Sequence, residues 1–331
     1  MKRIIVTGSS GQIGTELVAE LCSRLGSENV VAADIRKNTD LKCETLSLDV
    51  TDRTSVFDTF SAISAETVFH LAGVLSAKGE EDPETAFRVN LNGTKNVLDA
   101  AVASRVRRFI FPSTIAVFGP STPKNDVQVD TITRPITMYG ITKLFCEQLA
   151  EYYARRGLID ARGVRLPGII SYRTPPGGGT TDYAIEMIRS AVAGERYSCF
   201  LRKDTRLPML YMPDAISAML ELWEAPVSSL AHRMDFNVSA FDFTPGELET
   251  ELRKHFPEFR VTYSPDKRQE IADSWPVSVD STCARREWGF QPKFDIEKMV
   301  SDMILNLRPP VKERRDMGTK ARISVHGLKS K

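Results

Sequence analysis

The chain has 331 residues, with 44 Lys or Arg against 43 Asp or Glu, so its formal charge of +1 gives no global electrostatic case for nucleic acid or an anionic membrane. That length allows one large domain or two closely joined ones, with ample material for a core. Five cysteines and four histidines are dispersed without a CxxC, which argues against a disulfide scaffold and a zinc site, so no metal is expected.

The run "RIIVTG" (3–8) predicts a first strand, and it leaves no room for a secretory or typical transit peptide before it. Leu17, Leu21 and Leu25 at helical spacing predict a helix over 14–25, stopped by Gly26. Strands are expected at 29–35 and 44–50, the latter followed by a helix capped by Thr51 or Asp52. A fourth strand is expected at 67–73, a long helix at 84–104 and a fifth strand at 106–114. A helix over 140–156 and a sixth strand over 161–170 complete the alternation. This order predicts an α/β fold, a Rossmann-type doubly wound and mostly parallel sheet over residues 1–170.

After residue 170 the rhythm breaks. Helical patterns at 182–193, 214–224, 245–255 and 295–307 alternate with irregular, proline-bearing segments. They predict a smaller mixed C-terminal substrate lobe over 171–307, with segments from about 211–240 returning to complete the first domain. The tail 308–331 carries eight Lys/Arg against two acidic residues and reads as a surface extension. No apolar run reaches the length of a membrane span. Together with the dispersed thiols, this predicts a soluble intracellular protein.

The turn "GSSGQIG" places Gly8, Gly11 and Gly14, with Gln12 and Ile13 between them, after strand one and at the start of a helix. The first glycine permits the tight turn, the second lets the backbone approach a pyrophosphate, and the third packs helix on strand. The helix N-terminus then offers free N–H groups to phosphate. Asp34, 20 residues after Gly14, ends strand two, where a carboxylate accepts the ribose hydroxyls and disfavours a 2′-phosphate. NAD is therefore expected over NADP, although Arg36 stands close by. Asp49 and Val50 are placed to meet the adenine, and Leu71, Ala72 and Gly73 to pass beneath the cofactor. Leu166 and Pro167, ending strand six, are the expected nicotinamide neighbours. His70 reads as a packed structural residue.

Tyr139 and Lys143 in "YGITK" share one helical face after strand five, whose tip carries Ser113 and Thr114. A nearby ammonium and a positive nicotinamide would both favour the phenolate of a tyrosine whose reference pKa is about 10. The expected chemistry is proton removal from a secondary alcohol by Tyr139, with Ser113 holding the substrate hydroxyl and Lys143 also bonding the nicotinamide ribose.

These residues, with "LAG" at 71–73 and Asn90 in "NLNGT", resemble the extended short-chain dehydrogenase/reductase family. The segments "YMPDAISAMLEL" (211–222) and "DSTCARREWGFQP" (280–292) are similar to its C-terminal parts. The stretch 165–184, "RLPGIISYRTPPGGGTTDYA", with "YMPD" and "SWP" (274–276), resembles the short-chain L-threonine 3-dehydrogenase branch. That resemblance implies Asn90 near the cofactor, L-threonine as substrate, and threonine catabolism toward glycine and acetyl-CoA. It also implies a homodimer formed by the helices near 84–104 and 140–156. Its relatives are mitochondrial in eukaryotes and cytosolic in bacteria.

For the substrate, Gly179 lets backbone approach, and Thr180 or Thr181 would cap the helix beginning near Asp182, leaving hydroxyls and N–H groups for a carboxylate. Ser76 is placed to meet the amino acid from the cofactor side. Asp182 either balances the ammonium or complements the helix dipole. Trp275 either covers the substrate methyl or is simply buried. A sugar-nucleotide epimerase or dehydratase, with Arg189, Arg202 and Arg206 on the diphosphate, is the competing reading. A cofactor-sensing regulator without catalysis ranks behind both, because Ser113, Tyr139 and Lys143 are all present.

Overall fold

The structure, a computed structural model, describes residues 3–308; the tail from 309 onward lies outside the described residues. β1 (Arg3–Thr7) leads through the glycine turn into α1 (Gln12–Leu25). β2 (Val30–Asp34), β3 (Glu44–Ser47), α2 (Arg53–Ala62) and β4 (Ala65–His70) follow. Asp52 caps α2 by accepting the Ser55 N–H. Next come α3 (Ser76–Glu81), α4 (Pro83–Ala86) and α5 (Thr94–Ala103). The helix expected over 84–104 is not uniform, because Phe87–Gly93 between α4 and α5 winds as a π-helix. Such segments gather at functional sites, and this one carries Asn90. β5 (Arg108–Thr114), α6 (Met138–Arg155) and β6 (Asp160–Leu166) complete the alternation.

The strand expected over 161–170 divides at Pro167. That residue has no N–H for a ladder, and the chain changes sheets there. β7 (Gly168–Ile170) joins a three-stranded sheet in the order β11-β9-β7. The remaining elements are α7 (Tyr183–Ala193), β8 (Tyr197–Cys199), β9 (Leu207–Tyr211), α8 (Met212–Glu224), β10 (Phe236–Asn237) and β11 (Phe241–Phe243). They end with α9 (Pro245–His255), β12 (Val261–Tyr263), α10 (Arg268–Ser274), α11 (Thr282–Trp288) and α12 (Ile296–Leu307). The short α3, α10 and α11 were not anticipated, because two turns or fewer hold too little periodicity.

The main sheet is parallel throughout, with seven strands in the order β10-β6-β5-β4-β1-β2-β3. Leu17 and Leu21 of α1 pack with Met219 and Leu222 of α8 in the core cluster that also takes Val6 and Phe236. Val56, Phe60, Val97, Leu98, Cys146 and Ala150 of α2, α5 and α6 build a second cluster with Val68 and Phe109. A third cluster gathers Tyr183, Ile188, Phe243, Leu248 and Met303 with Ile115, Val117 and Phe118 from the segment after β5. Among the described residues no helix is long and apolar enough to cross a membrane.

Parallel strands put all their C-terminal ends on one edge, and ligands of such sheets bind outside that edge. β4 pairs with β5 only as far as Phe69 and Ile110, so the two strands part beyond that point. Pro112 therefore costs no ladder bond on its β4 side, and a cleft opens where β5 ends.

Candidate active site

Gly8 turns the chain at φ +71°, and a Cβ there would strike the backbone of Leu71 and Ala72. A Cβ on Gly14 would strike the carbonyl of Gly8 and the backbone of Ser9. Both positions thus require glycine, one for the turn and one for close packing of α1. At Gly11 an added Cβ would meet the Gly8 carbonyl and nothing else close among the described residues, which leaves its outer side open to a ligand.

The cleft has two connected chambers, which share Gly8, Gly11 and Leu71. The first is about 290 Å³ and is walled by Asp34, Arg36, Asp49, Val50, Ala72 and Gly73. The second is about 150 Å³ and is walled by Gln12, Ile13, Gly14, Thr114, Tyr139, Lys143, Leu166 and Pro167. The glycine turn lies between them. A flat adenosine end, a pyrophosphate over the helix N-terminus and a nicotinamide end fit this layout. The Asp34 carboxylate accepts the N–H of Ser10 at 3.0 Å and of Arg36 at 3.0 Å, which ties the end of β2 to the glycine turn.

Asn90 does not line either chamber. Its side chain accepts the Val74 N–H at 2.7 Å and donates to the Val74 carbonyl at 3.2 Å and to Thr142 at 3.1 Å. It braces the segment after β4, which borders the first chamber. His70 is fully buried between Thr7 (2.7 Å) and Thr94 (3.0 Å), and burial first, with the Lys143 charge second, pushes it down to about 3. It is a neutral structural ring.

Thr137 caps α6 through the Gly140 N–H, and this starts the helix one residue before Tyr139. Tyr139 and Lys143 project from its first turns into the inner chamber. Lys143 Nζ donates to the Pro112 carbonyl at 2.8 Å and lies 4.2 Å from the centroid of the Phe111 ring. Burial lowers it to about 8, against the opposing pull of Cys146 and Glu147. Burial pushes the Tyr139 phenol up to about 12, and only a hydrogen bond with Thr114 works against that. Burial thus favours the protonated phenol, and no effect of the Lys143 ammonium on it is resolved.

The two hydroxyls at the tip of β5 part company. Thr114 reaches Tyr139, while Ser113 borders the cleft but donates its hydroxyl to Glu147. The hydroxyl beside the Tyr139 phenol is that of Thr114, while that of Ser113 is engaged by Glu147. Glu147 was not foreseen, although its spacing from Lys143 on the same helical face is the signal that marks it.

The glycine-rich segment is an ordered loop. Ser76 Oγ lies 3.1 Å from Thr180 Oγ1 and accepts the Thr180 N–H at 3.3 Å, so the loop docks on the first residue of α3. The Asp182 carboxylate accepts the N–H groups of Gly178 (2.8 Å) and Gly179 (2.7 Å). Asp182, not Thr180 or Thr181, precedes α7, and it makes no side-chain cap to that helix. Burial raises its pKa, with the Gly179 and Gly178 N–H groups acting the other way. Its carboxylate also fastens the glycine turn, beside either role expected for it. Thr181 packs its methyl against Gly168. Trp275 is buried in the third core cluster, which reaches Tyr139.

The fold also gathers His232, Cys283 and Glu287, whose donor atoms lie within 4.8 Å of one another. Glu287 is already spent on the N–H groups of Ala231 and His232 and on His232 Nδ1, which makes it a loop fastening.

Residues 4–239 match the model of the NAD dependent epimerase/dehydratase family. The chain belongs to that family. It is an NAD-dependent oxidoreductase on a Rossmann fold. An uncharacterised epimerase/dehydratase of Staphylococcus haemolyticus is 42% identical over 309 residues, 92% of this chain and 97% of that relative. A GalE-like L-threonine dehydrogenase from Cupriavidus necator in its holo form is 41% identical with a TM-score of 0.90, covering 92% of this chain and 100% of that one. A monomeric L-threonine 3-dehydrogenase of metagenomic origin is 44% identical with a TM-score of 0.90, covering 92% and 98%.

Proposed function

We propose that this member of the family oxidises the β-hydroxyl of L-threonine to L-2-amino-3-oxobutyrate with formation of NADH, in threonine catabolism toward glycine and acetyl-CoA. The observation that supports the reading is the loop 177–182, folded against Ser76 at the start of α3, the short helix whose Gly79 faces Tyr139. Similarity to L-threonine dehydrogenases over nearly the whole chain supports it.

Bound NAD supplies the hydride acceptor. The glycine turn and the α1 N-terminus would hold its pyrophosphate, and Asp34 its ribose. Tyr139 removes the proton of the substrate hydroxyl, which Thr114 orients. Burial pushes the Tyr139 phenol up, so added positive charge in the inner chamber, which a bound nicotinamide would supply, would favour its ionised form. Lys143 adds its charge from a fixed position against Pro112. Ser76 and Thr180 meet the amino acid opposite the cofactor, and the loop excludes water.

The sugar-nucleotide reading needs free cations for a diphosphate. Arg202 pairs with Asp273, Arg206 with Asp242 and Glu247, and Arg189 donates to the Tyr172 carbonyl. None stands ready for phosphate. The test is NADH formation from purified protein with NAD and L-threonine, set against D-threonine, L-allo-threonine and L-serine. Selective turnover of L-threonine is expected. No NADH, together with thermal stabilisation by a UDP-sugar, would overturn the reading.

A further inference from the structure

Three residues of α6 spaced four apart each take hold of one of three consecutive residues of β5. Lys143 Nζ donates to the Pro112 carbonyl, Glu147 accepts the Ser113 hydroxyl, and Tyr139 lies beside Thr114. Positions i, i+4 and i+8 share one helical face. The Glu147 carboxylate also receives Arg165 in a two-point ion pair, Nε to Oε1 at 3.0 Å and a terminal nitrogen to Oε2 at 2.9 Å. Arg165 of β6 is the cross-strand partner of Ser113, and the next registered pair is Thr114 with Leu166. Both of that next pair wall the inner chamber.

We propose that Glu147 is a positioning residue for the reaction: by binding the Ser113–Arg165 rung of the sheet, it fixes the Thr114–Leu166 rung toward the cleft and seats α6 so that Tyr139 and Lys143 meet β5. Side chains alternate along a strand, so pinning one rung to Glu147 aims the next one away from it. Arg165 extends the grip by donating to the Val129 carbonyl at 2.9 Å and by lying 5.2 Å from the Phe118 ring centroid. The pair is buried, 5% and 1% exposed, and such a pair is a poor source of net stability. Its return is geometric.

The charged groups around the carboxylate are Lys143 and Glu151 of α6, Arg165 of β6, and Asp235 from the segment before β10. Glu147, Glu151, Arg165 and Asp235, with Asp130, Arg155, His232 and Arg233, also wall a polar cavity of about 490 Å³, which Lys143 does not line. Glu147 therefore adds an electrostatic effect to a positional one, because its charge helps Lys143 keep its proton.

The test compares full-length variants with the unchanged protein. Ser113→Ala leaves the ion pair whole. It is expected to fold normally, to hold KM for both substrates within about twofold and to lower kcat about tenfold. Thr114→Val, measured beside it, is expected to lose roughly 10²-fold or more. Glu147→Gln is expected to lower the titration midpoint of Lys143, read by NMR on labelled lysine, and to move the alkaline limb of kcat the same way. Glu147→Asp keeps the charge but not the reach, so it should lower kcat and leave that limb in place.

Two results would overturn the proposal. One is Ser113→Ala falling as far as Thr114→Val, which would mean that Ser113 itself holds the substrate. The other is wild-type kcat and an unmoved Lys143 titration in folded Ser113→Ala and Glu147→Gln. If Glu147→Gln does not fold, Ser113→Ala and Glu147→Asp decide. The inference rests on the L-threonine reading only for its substrate. The lysine titration needs no substrate, so inert L-threonine would sink that reading alone.

Discussion

Ser113 and Thr114 are neighbours in one strand, yet Ser113 gives its hydroxyl to Glu147 while Thr114 reaches Tyr139. Which of the two serves the reaction is decided by which turn of α6 each one meets, Glu147 two turns in or Tyr139 at its start. The consequence is asymmetric. Thr114→Ser keeps a hydroxyl beside the phenol and should retain most of the turnover. Thr114→Val keeps the shape, removes the hydroxyl, and should lower kcat by roughly 10²-fold while NAD still binds. Steady-state kinetics with NAD and L-threonine, plus cofactor binding by calorimetry, check both. Equal activity in Thr114→Val and the parent would remove Thr114 from the site.

Tyr139→Phe should bind NAD and lose turnover. Lys143 behaves differently, because its burial has a stability consequence. Its pKa is lowered to about 8, below the ordinary lysine value. Between pH 8 and the ordinary value the unfolded chain holds a proton that the native one lacks. Stability therefore rises with pH across that window, and below it the native state carries the full cost of the buried ammonium. Lys143→Met should be inactive yet more stable at neutral pH, by at most about 3 kcal/mol. Urea denaturation of the cofactor-free proteins at pH 7 and pH 10 checks this. A Lys143→Met protein less stable than the parent at pH 7 would show that the Pro112 hydrogen bond outweighs desolvation.

The cofactor half of the site was legible because its signals are local. Gly8, Gly11, Gly14 and Asp34 stand in fixed strand-turn-helix order, and Tyr139 and Lys143 are one helical turn apart. What escaped depends on contacts between distant segments. Ser113 was favoured over Thr114 because nothing near them in sequence reveals Glu147. Asp182 looked like a first-turn acid, but its carboxylate turns back to Gly178 and Gly179. Asn90 sits in a π-helical winding that no periodicity announces, and its amide is bound to Val74. The run 161–170 had the composition of one strand, and only the sheet change at Pro167 made it two.

His70 predicts acid sensitivity. Its pKa is pushed down to about 3 by burial, so from about 6.5 downward the unfolded chain takes up a proton that the native ring refuses. Stability should fall as pH drops through that range, and it should fall less steeply in His70→Gln, which can still hydrogen-bond to Thr7 and Thr94. Thermal melts between pH 4.5 and 7 decide it. Parallel slopes for the two proteins would mean that His70 does not set the acid limb.

Asp182 fastens the glycine turn through two charge-assisted hydrogen bonds. Such bonds contribute about 1.5–3 kcal/mol each to the ordered state. Asp182→Ala should therefore loosen the loop, raise KM for L-threonine by about tenfold or more, and leave NAD affinity in place. Gly178, at φ +95°, should show the same pattern when changed to alanine, because a side chain is strained there. If NAD affinity fell in step with KM for L-threonine, the loop would serve the cofactor and not the amino acid.

Phe87, Ile141, Phe145 and Tyr152 are all at least 42% exposed, on the π-helical segment and the neighbouring α6. Four large apolar side chains on adjoining helices make a surface that water disfavours. A second copy of the chain presenting the same face would cover it about a two-fold axis, with helices packing on helices. We expect a homodimer in sedimentation at micromolar concentration, and a shift to monomer in Phe145→Glu. That variant also tests whether assembly matters to catalysis, because Ile141 and Phe145 share α6 with Tyr139, Lys143 and Glu147. Loss of kcat with the dimer would mean that the partner helps to seat α6 against β5. A monomeric parent with full activity would mean that the Glu147–Arg165 grip seats it alone.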